Sequence, residues 1–402
     1  MIRRALLAVL SLCLATMAAA DSHHPHIMKS EVVSLDAGTI ERNANSGTPF
    51  ELVLGGLPLT LVVSPAPVWP AEGLIVLEVD GDDIKKRIVT GNITYAGEVA
   101  GEDPDASEVR FSITSEGLEG YVLSETGWWF VEPLSHFDPK AKPDLHLVYA
   151  TRDLDFVLPY GDDGVKADEV IDYEGGIGGN KDGKIPLLMV ADHQYITRSG
   201  ALPFEARHAT LINMVNGIYK TETWREFRVV ASIGDFGNNR LTTTNGQNLL
   251  TALKPFVNFA AGLGINAPSG AGLKVLNSFF AHLTTAKDLD GVTMGVADEP
   301  GTFGLSQQSV PPVGGSTTAL AFQNMMIAAH EIGHNWFAMH DKADCICVDE
   351  GLFGIGCWDY RRTIMWHEFI SDHLPRFSNG EQDSSHNNKM KIRDFMATKN
   401  FF

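Results

Sequence analysis

The chain has 402 residues, 44% hydrophobic and 20% charged, a composition of folded globular protein with room for two or three domains. Its 50 acidic and 31 basic side chains leave a formal charge of −19. No Lys/Arg cluster offsets it, which argues against a nucleic-acid partner, and no run of about 20 apolar residues follows the N-terminus, so no membrane span is expected.

Residues 1–20 read as a secretory signal peptide. Met1-Ile2-Arg3-Arg4 is the basic start, Ala5 to Thr16 the apolar stretch, and Ala18-Ala19-Ala20 the small-residue cleavage site before Asp21. Cys13 lacks the small residue just before it that a lipoprotein anchor needs. The mature chain is thus expected outside the cytoplasm, extracellular or periplasmic, where strong acidity keeps a protein soluble. His23, His24 and His26 at the new N-terminus are expected to form a solvent-exposed tail.

From about residue 31 to 158 short alternating runs follow one another: Ile93 to Val99, Glu108 to Ile113, Gly120 to Leu123 and Trp128 to Pro133. They predict a β-rich domain over residues 21–159. No internal repeat is present. Asp80-Gly81-Asp82-Asp83 and Asp288-Leu289-Asp290-Gly291 read as turns, because neither continues as a twelve-residue calcium loop; Ca2+ has no motif behind it. Residues 160–183 are rich in glycine and acid with almost no apolar periodicity, and read as an exposed linker.

Residues 184–402 read as a second domain. Ile185 to Val190 predicts a buried strand ending in the turn Ala191-Asp192-His193, and Phe204 to Lys220 an amphipathic helix. Strands are predicted over Phe227 to Ile233, Ala281 to Thr285 and Gly291 to Ala297. His193 and His282 are assigned structural rather than ligand roles.

Thr318 to Ala329 is apolar and helix-forming, with Ser316 or Thr317 as N-cap, and leads into His330-Glu331-Ile332-Gly333-His334. Two histidines four apart leave one helix face a turn apart and can grip one metal ion. Glu331, about 100° around the helix, is placed to hydrogen-bond a water there. Catalytic zinc takes three protein ligands, and His340 is the natural third. A continuing helix would carry His340 roughly 240° past His334, so the helix must stop between them.

His330 to Asp341, with Thr363-Ile364-Met365 downstream, resembles the signature of the metzincin zinc proteases, and the Asp341 ending resembles their adamalysin or reprolysin branch. Asp344-Cys345-x-Cys347, Cys357 and Arg376-Phe377-Ser378-Asn379 are similar to segments of that branch or of bacterial relatives. One position departs: Phe337 stands where the family has Gly, and Asn335 is the alternative residue to take the left-handed conformation of the turn.

The resemblance covers roughly residues 184–402. It implies an α/β (α+β) catalytic domain with a twisted mixed sheet and an active-site helix, preceded by a β-rich pro-domain that covers the cleft until cut. It implies one catalytic Zn2+ on His330, His334 and His340, a Met-turn at Met365, and Gly291 to Ala297 as the edge strand that pairs with extended substrate. The expected activity is a secreted, monomeric zinc endopeptidase acting on proteins or peptides, made as a zymogen, with Glu331 as general base. Two alternatives remain: a gluzincin-like hydrolase with Glu350 or Glu368 as third ligand, and a non-catalytic metal-binding ectodomain. Of the three cysteines left after export, Cys345 or Cys347 is expected to pair with Cys357. Residues 21–183 contain no cysteine, so latency must come from another group or from steric cover.

Overall fold

The computed structural model describes residues 26–155, 157–159, 164–166, 184–200, 202–262, 280–291, 293–299, 301–308, 321–336, 338, 345–349, 355–359, 365, 368–370 and 392. The signal peptide, most of the linker and the Ser316/Thr317 cap lie outside them. In chain order the elements are β1 (Glu31–Ser34), α1 (Ala37–Ser46), β2 (Phe50–Leu54), β3 (Leu57–Pro65), β4 (Leu74–Asp80), β5 (Asp83–Val89), β6 (Thr94–Val99), β7 (Glu108–Thr114), β8 (Gly117–Ser124), β9 (Gly127–Pro133), β10 (Leu145–Ala150), β11 (Val157–Pro159) and β12 (Gly164–Lys166). There follow β13 (Ile185–Ala191), α2 (His193–Arg198), α3 (Phe204–Thr223), β14 (Phe227–Asp235), α4 (Gly246–Gly262), β15 (Phe280–Thr285), β16 (Gly295–Glu299), β17 (Phe303–Gln307), α5 (Ala321–Asn335), β18 (Cys345–Asp349), β19 (Ile355–Asp359) and β20 (Glu368–Ile370).

Two large sheets result. The first is antiparallel throughout, in the order β1-β10-β9-β8-β7-β6-β3-β2. Its alternating residues divide between two cores: Val122, Val131 and Val148 pack with Ile40 and Ala44 of α1, while Tyr121, Phe130 and Leu147 pack toward α3 and α5. Helix α1, absent from the sequence reading, is capped by Asp36 accepting the N–H of Thr39 and ends at Gly47, whose φ of 65° favours glycine.

The second sheet runs β12-β16-β17-β15-β13-β14-β4-β5. β4, β14, β13, β15 and β17 are mutually parallel, whereas β16 is antiparallel to β17 and β5 to β4. Every residue of β13 is buried, as a strand covered on both faces must be. Leu188 and Val190 face Leu249, Leu253 and Phe256 of α4, and Leu187 and Met189 face the core of α3 and α5. The chain is therefore mixed α/β, layered as α1, first sheet, α3 with α5, second sheet, α4.

The hairpin β4–β5 departs from a simple division at the linker. It lies in sequence between β3 and β6, neighbours in the first sheet, yet it joins the second, where Ile75 pairs with Ala231. Asp80-Gly81-Asp82-Asp83 is its two-residue turn. Helix α3 departs from expectation too. It was expected to keep one wet face, but nearly all of it is buried because the first sheet covers the outer side. Asn213 Nδ2 donates to the backbone oxygens of Tyr95 and Phe111 at 3.2 and 2.9 Å.

A polar network sits where the layers meet. His136 lies 3.1 Å from Glu116 and 3.6 Å from Glu132, and Arg207 of α3 donates to both Glu116 oxygens at 3.1 Å. Burial opposes charge on His136, but its bonds to Glu116 and Glu132 prevail and raise its pKa to about 9. Burial has the opposite outcome at His208 and His282, pushing both down to about 3. They remain neutral against the hydroxyls of Ser232, Thr284 and Ser306.

These shifts predict a stability maximum. A raised pKa contributes stability that is full below the ordinary 6.5 and lost as pH climbs through about 9, at most roughly 3 kcal/mol for His136. The depressed His208 and His282 act the other way, with loss as pH falls below 6.5 because the unfolded chain takes up protons first. Urea midpoints should thus fall on both sides of near-neutral pH, and His136→Gln should flatten the alkaline limb. An unchanged alkaline limb in that variant would refute the assignment.

Candidate metal centre

Helix α5 is built from Ala, Met and Ile packed between the two sheets, and only Asn324 is not buried. Histidines on such a helix have no water to satisfy them and must find partners in the protein or on an ion. His330 and His334 are both 0% exposed, their ring planes cross at 84°, and their Nε2 atoms converge to 3.1 Å. Two nitrogens on one tetrahedral zinc, each at about 2.0–2.1 Å, lie roughly 3.3 Å apart, so the pair fits such an ion. His334 Nδ1 is 2.8 Å from the Ala338 carbonyl, which can only accept. The proton therefore resides on Nδ1 and the Nε2 lone pair faces His330, the tautomer in which an imidazole can bind a metal through Nε2.

Several contacts hold the helix in place. Tyr219 of α3 donates its hydroxyl to the Ala329 carbonyl at 2.9 Å. At the other end the N–H groups of Trp336 and Ala338 both reach the Gly333 carbonyl, at 2.9 and 3.0 Å, closing the last turn five residues before His340. Trp336 is packed by Tyr219, Phe227 and Phe280. Asn335 is the last helical residue and does not take the left-handed conformation suggested by its sequence position; among described non-glycine residues only Trp224 and Asn238 have positive φ. Its amide instead donates to the carbonyls of Asp298 and Phe303, at 3.0 and 2.9 Å, which fastens the helix end to the β16–β17 hairpin.

Glu331, also 0% exposed, leans on that hairpin. Gly295, the first residue of β16, lies so close that a Cβ there would meet the Glu331 Cδ at 2.5 Å and Cγ at 2.6 Å. The strand starts later than its sequence pattern implied and its outer edge is taken: Gly164, Val165 and Lys166 pair in parallel with Ala297, Asp298 and Glu299. β17, missed in the sequence, flanks its inner edge.

His340, Phe337, Asp341 and Glu350 lie outside the described residues, and Glu368 is described only by its backbone, in β20 opposite Pro159. Met365 is buried in the apolar cluster that holds Ile332, Trp336 and Ala338. The register of β18 with β19 sets Cys347 across from Cys357 and Cys345 across from Asp359. His193 Nδ1 donates to the Phe236 carbonyl at 2.9 Å, at the start of α2.

No protein-family model matches the chain, and no curated protein does either. The site stands on its own geometry.

A second group of donors, Glu119, Glu132 and His136, falls within 4.8 Å of one another. Nothing in their spacing marks them, since adjacency comes from strand pairing and the turn after β9. Glu132 also accepts from the Tyr149 hydroxyl at 2.6 Å and the Ala321 N–H at 2.9 Å, and, against its burial, the bonds to Glu116 and Glu132 raise the pKa of His136 to about 9.

The close fit of Glu331 to Gly295 gives a test. Gly295→Ala should destabilise the protein by about 1–3 kcal/mol, and Glu331→Ala in the same chain should remove most of that cost. Additive effects in the double-mutant cycle would show that the two residues do not touch.

Proposed function

We propose that this chain is a secreted zinc endopeptidase of the metzincin type, closest in character to the adamalysin or reprolysin branch. The carrying observation is the convergence of the His330 and His334 Nε2 atoms to 3.1 Å on a buried helix, with Glu331 against the first residue of a strand at the sheet margin. A mixed sheet beside the helix, with β16 antiparallel to β17, supports the reading.

His330 and His334 would hold the ion, with His340 as third ligand. Zinc bound there supplies Lewis acidity toward a scissile carbonyl and toward water. Glu331 takes a proton from the attacking water and returns it to the leaving amine, a role suited to a carboxylate beside both the metal ligands and the substrate strand. The Ala338 carbonyl keeps the His334 ring in its ligating tautomer. The free edge of β16, once exposed, can pair with an extended peptide.

Latency fits the same reading. The chain's own Gly164–Lys166 lies on the edge that substrate would need, and His330, Glu331 and His334 are shut off from solvent. Steric cover of this kind needs no thiol, in keeping with a region 21–183 free of cysteine.

Purified protein should bind about one equivalent of zinc, less tightly as protons compete with the metal for its ligands in acid. Glu331→Gln should keep the metal and lose about 100-fold or more in turnover, while His340→Ala should lose metal. Full activity in chelator would end the zinc reading; metal loss in Glu350→Ala or Glu368→Ala with His340→Ala unaffected would move the third ligand to a carboxylate.

Activation should cut within Tyr160 to Lys184, leaving a catalytic fragment that begins near Lys184, and mercurials should have no effect. N-terminal sequencing of active material decides this; an active, uncut chain starting at Asp21 would overturn it.

A further inference from the structure

We propose that the N-terminal region, through Pro159, stays bound as a permanent part of the fold after the linker is cut. It is a non-covalent subunit rather than a pro-domain that departs. The inference rests on the protease reading only for the reason that the linker would be cut at all; the interface itself stands apart from it.

Three observations carry it. The first is the sheet. β4 supplies the hydrogen-bonding partner of β14 over five residues, Ala231 to Asp235, and β5 closes that margin behind it. Departure of the region would leave β14 with an open, unpaired edge in a two-sided sheet, the arrangement that proteins avoid. Departure of a pro-domain resting only on a cleft would leave the catalytic sheet intact. Here the sheet itself would lose two strands.

The second is the core. Val68, Trp69, Leu74, Val76, Tyr121, Phe130, Leu147 and Tyr149 belong to one apolar cluster with Leu187, Met189, Ile212, Val215 and Phe322 from the other side of the linker. Such a continuous core is the mark of one folded unit, and parting it would expose large side chains on both pieces.

The third is chemical matching of α3 to the first sheet. Gly217 leaves room for the Tyr121 ring, and a Cβ there would collide with its hydroxyl. Asn213 donates to two main-chain oxygens of that sheet. Arg110, 1% exposed, is paired with Glu108 of its own strand and reaches across to Glu226 at 3.0 Å. Arg207 reaches Glu116, and Arg87 reaches Glu205 at 2.8 Å. Without the N-terminal region, the Arg207, Glu205 and Glu226 charges would each lose a partner, and buried charges without partners are costly.

These contacts divide the region's roles. Among the described residues, Gly164–Lys166 lies on the β16 edge beside the candidate site, whereas β4 and the first sheet pack under it with α3, α5 and β14. Glu132 even accepts the N–H of Ala321 at the start of α5.

The test uses the full chain carrying Glu331→Gln, so that self-digestion plays no part, with a site-specific protease sequence inserted between Gly176 and Ile177. After complete nicking, both fragments should co-elute in size-exclusion chromatography at the position of the intact chain and separate only in denaturant. Elution of the N-terminal fragment by itself in native buffer overturns the proposal, whatever becomes of its counterpart. Neither result depends on zinc or catalysis: an unsubstituted chain without proteolytic activity would refute the function proposed above, while a retained fragment in the nicked Glu331→Gln chain would leave this inference standing.

Discussion

Much in this molecule follows from one constraint: α3 and α5 lie between two sheets, so most polar groups on either helix have no water to turn to. Each must be matched inside the protein. The matches are what give the candidate site its shape. Tyr219 reaches the carbonyl before His330, Asn335 binds the strand hairpin, Ala338 orients the His334 ring, and Glu132 meets the head of α5. The two histidines are left to point at one another. That pairing is the geometry on which the proposed ion rests, and in so dry an environment the electrostatic effect of an ion bound there would be strengthened.

Local chemistry was legible in the sequence where it depends on residues close along the chain. The i, i+4 spacing of His330 and His334 puts both rings on one face whatever surrounds the helix, and β13, α3, β14 and β15 follow from runs of apolar residues long enough to specify their period. His282, read as structural, is indeed buried, but its hydroxyl partner Ser306 lies on β17, a strand the sequence did not announce.

Relations across the chain were not legible. Nothing in Leu74 to Val89 says that this hairpin abandons its sequence neighbours for a sheet whose other strands come a hundred residues later; a strand reads alike in either place. The same blindness applies to α3, where burial on the second side is dictated by a sheet on the far side of the linker, and to Glu119, Glu132 and His136, joined only by folding. Asn335 illustrates a finer failure. Tolerance of the left-handed region is one use of asparagine, but two main-chain carbonyls within reach made its amide more valuable in the helix.

The excursion of β4–β5 also constrains how the molecule is born. Ile75 waits for Ala231, roughly 150 residues downstream, so the partner of the hairpin is made long after the hairpin itself. Contacts of such span are slow to close, and an edge left unsatisfied in the meantime invites pairing with a neighbouring chain. The first sheet contains most of what it needs within its own segment and can assemble early, presenting the hairpin as a ready template on which β14 and then β13 add. On this route the N-terminal region is the scaffold on which the rest of the chain acquires its order.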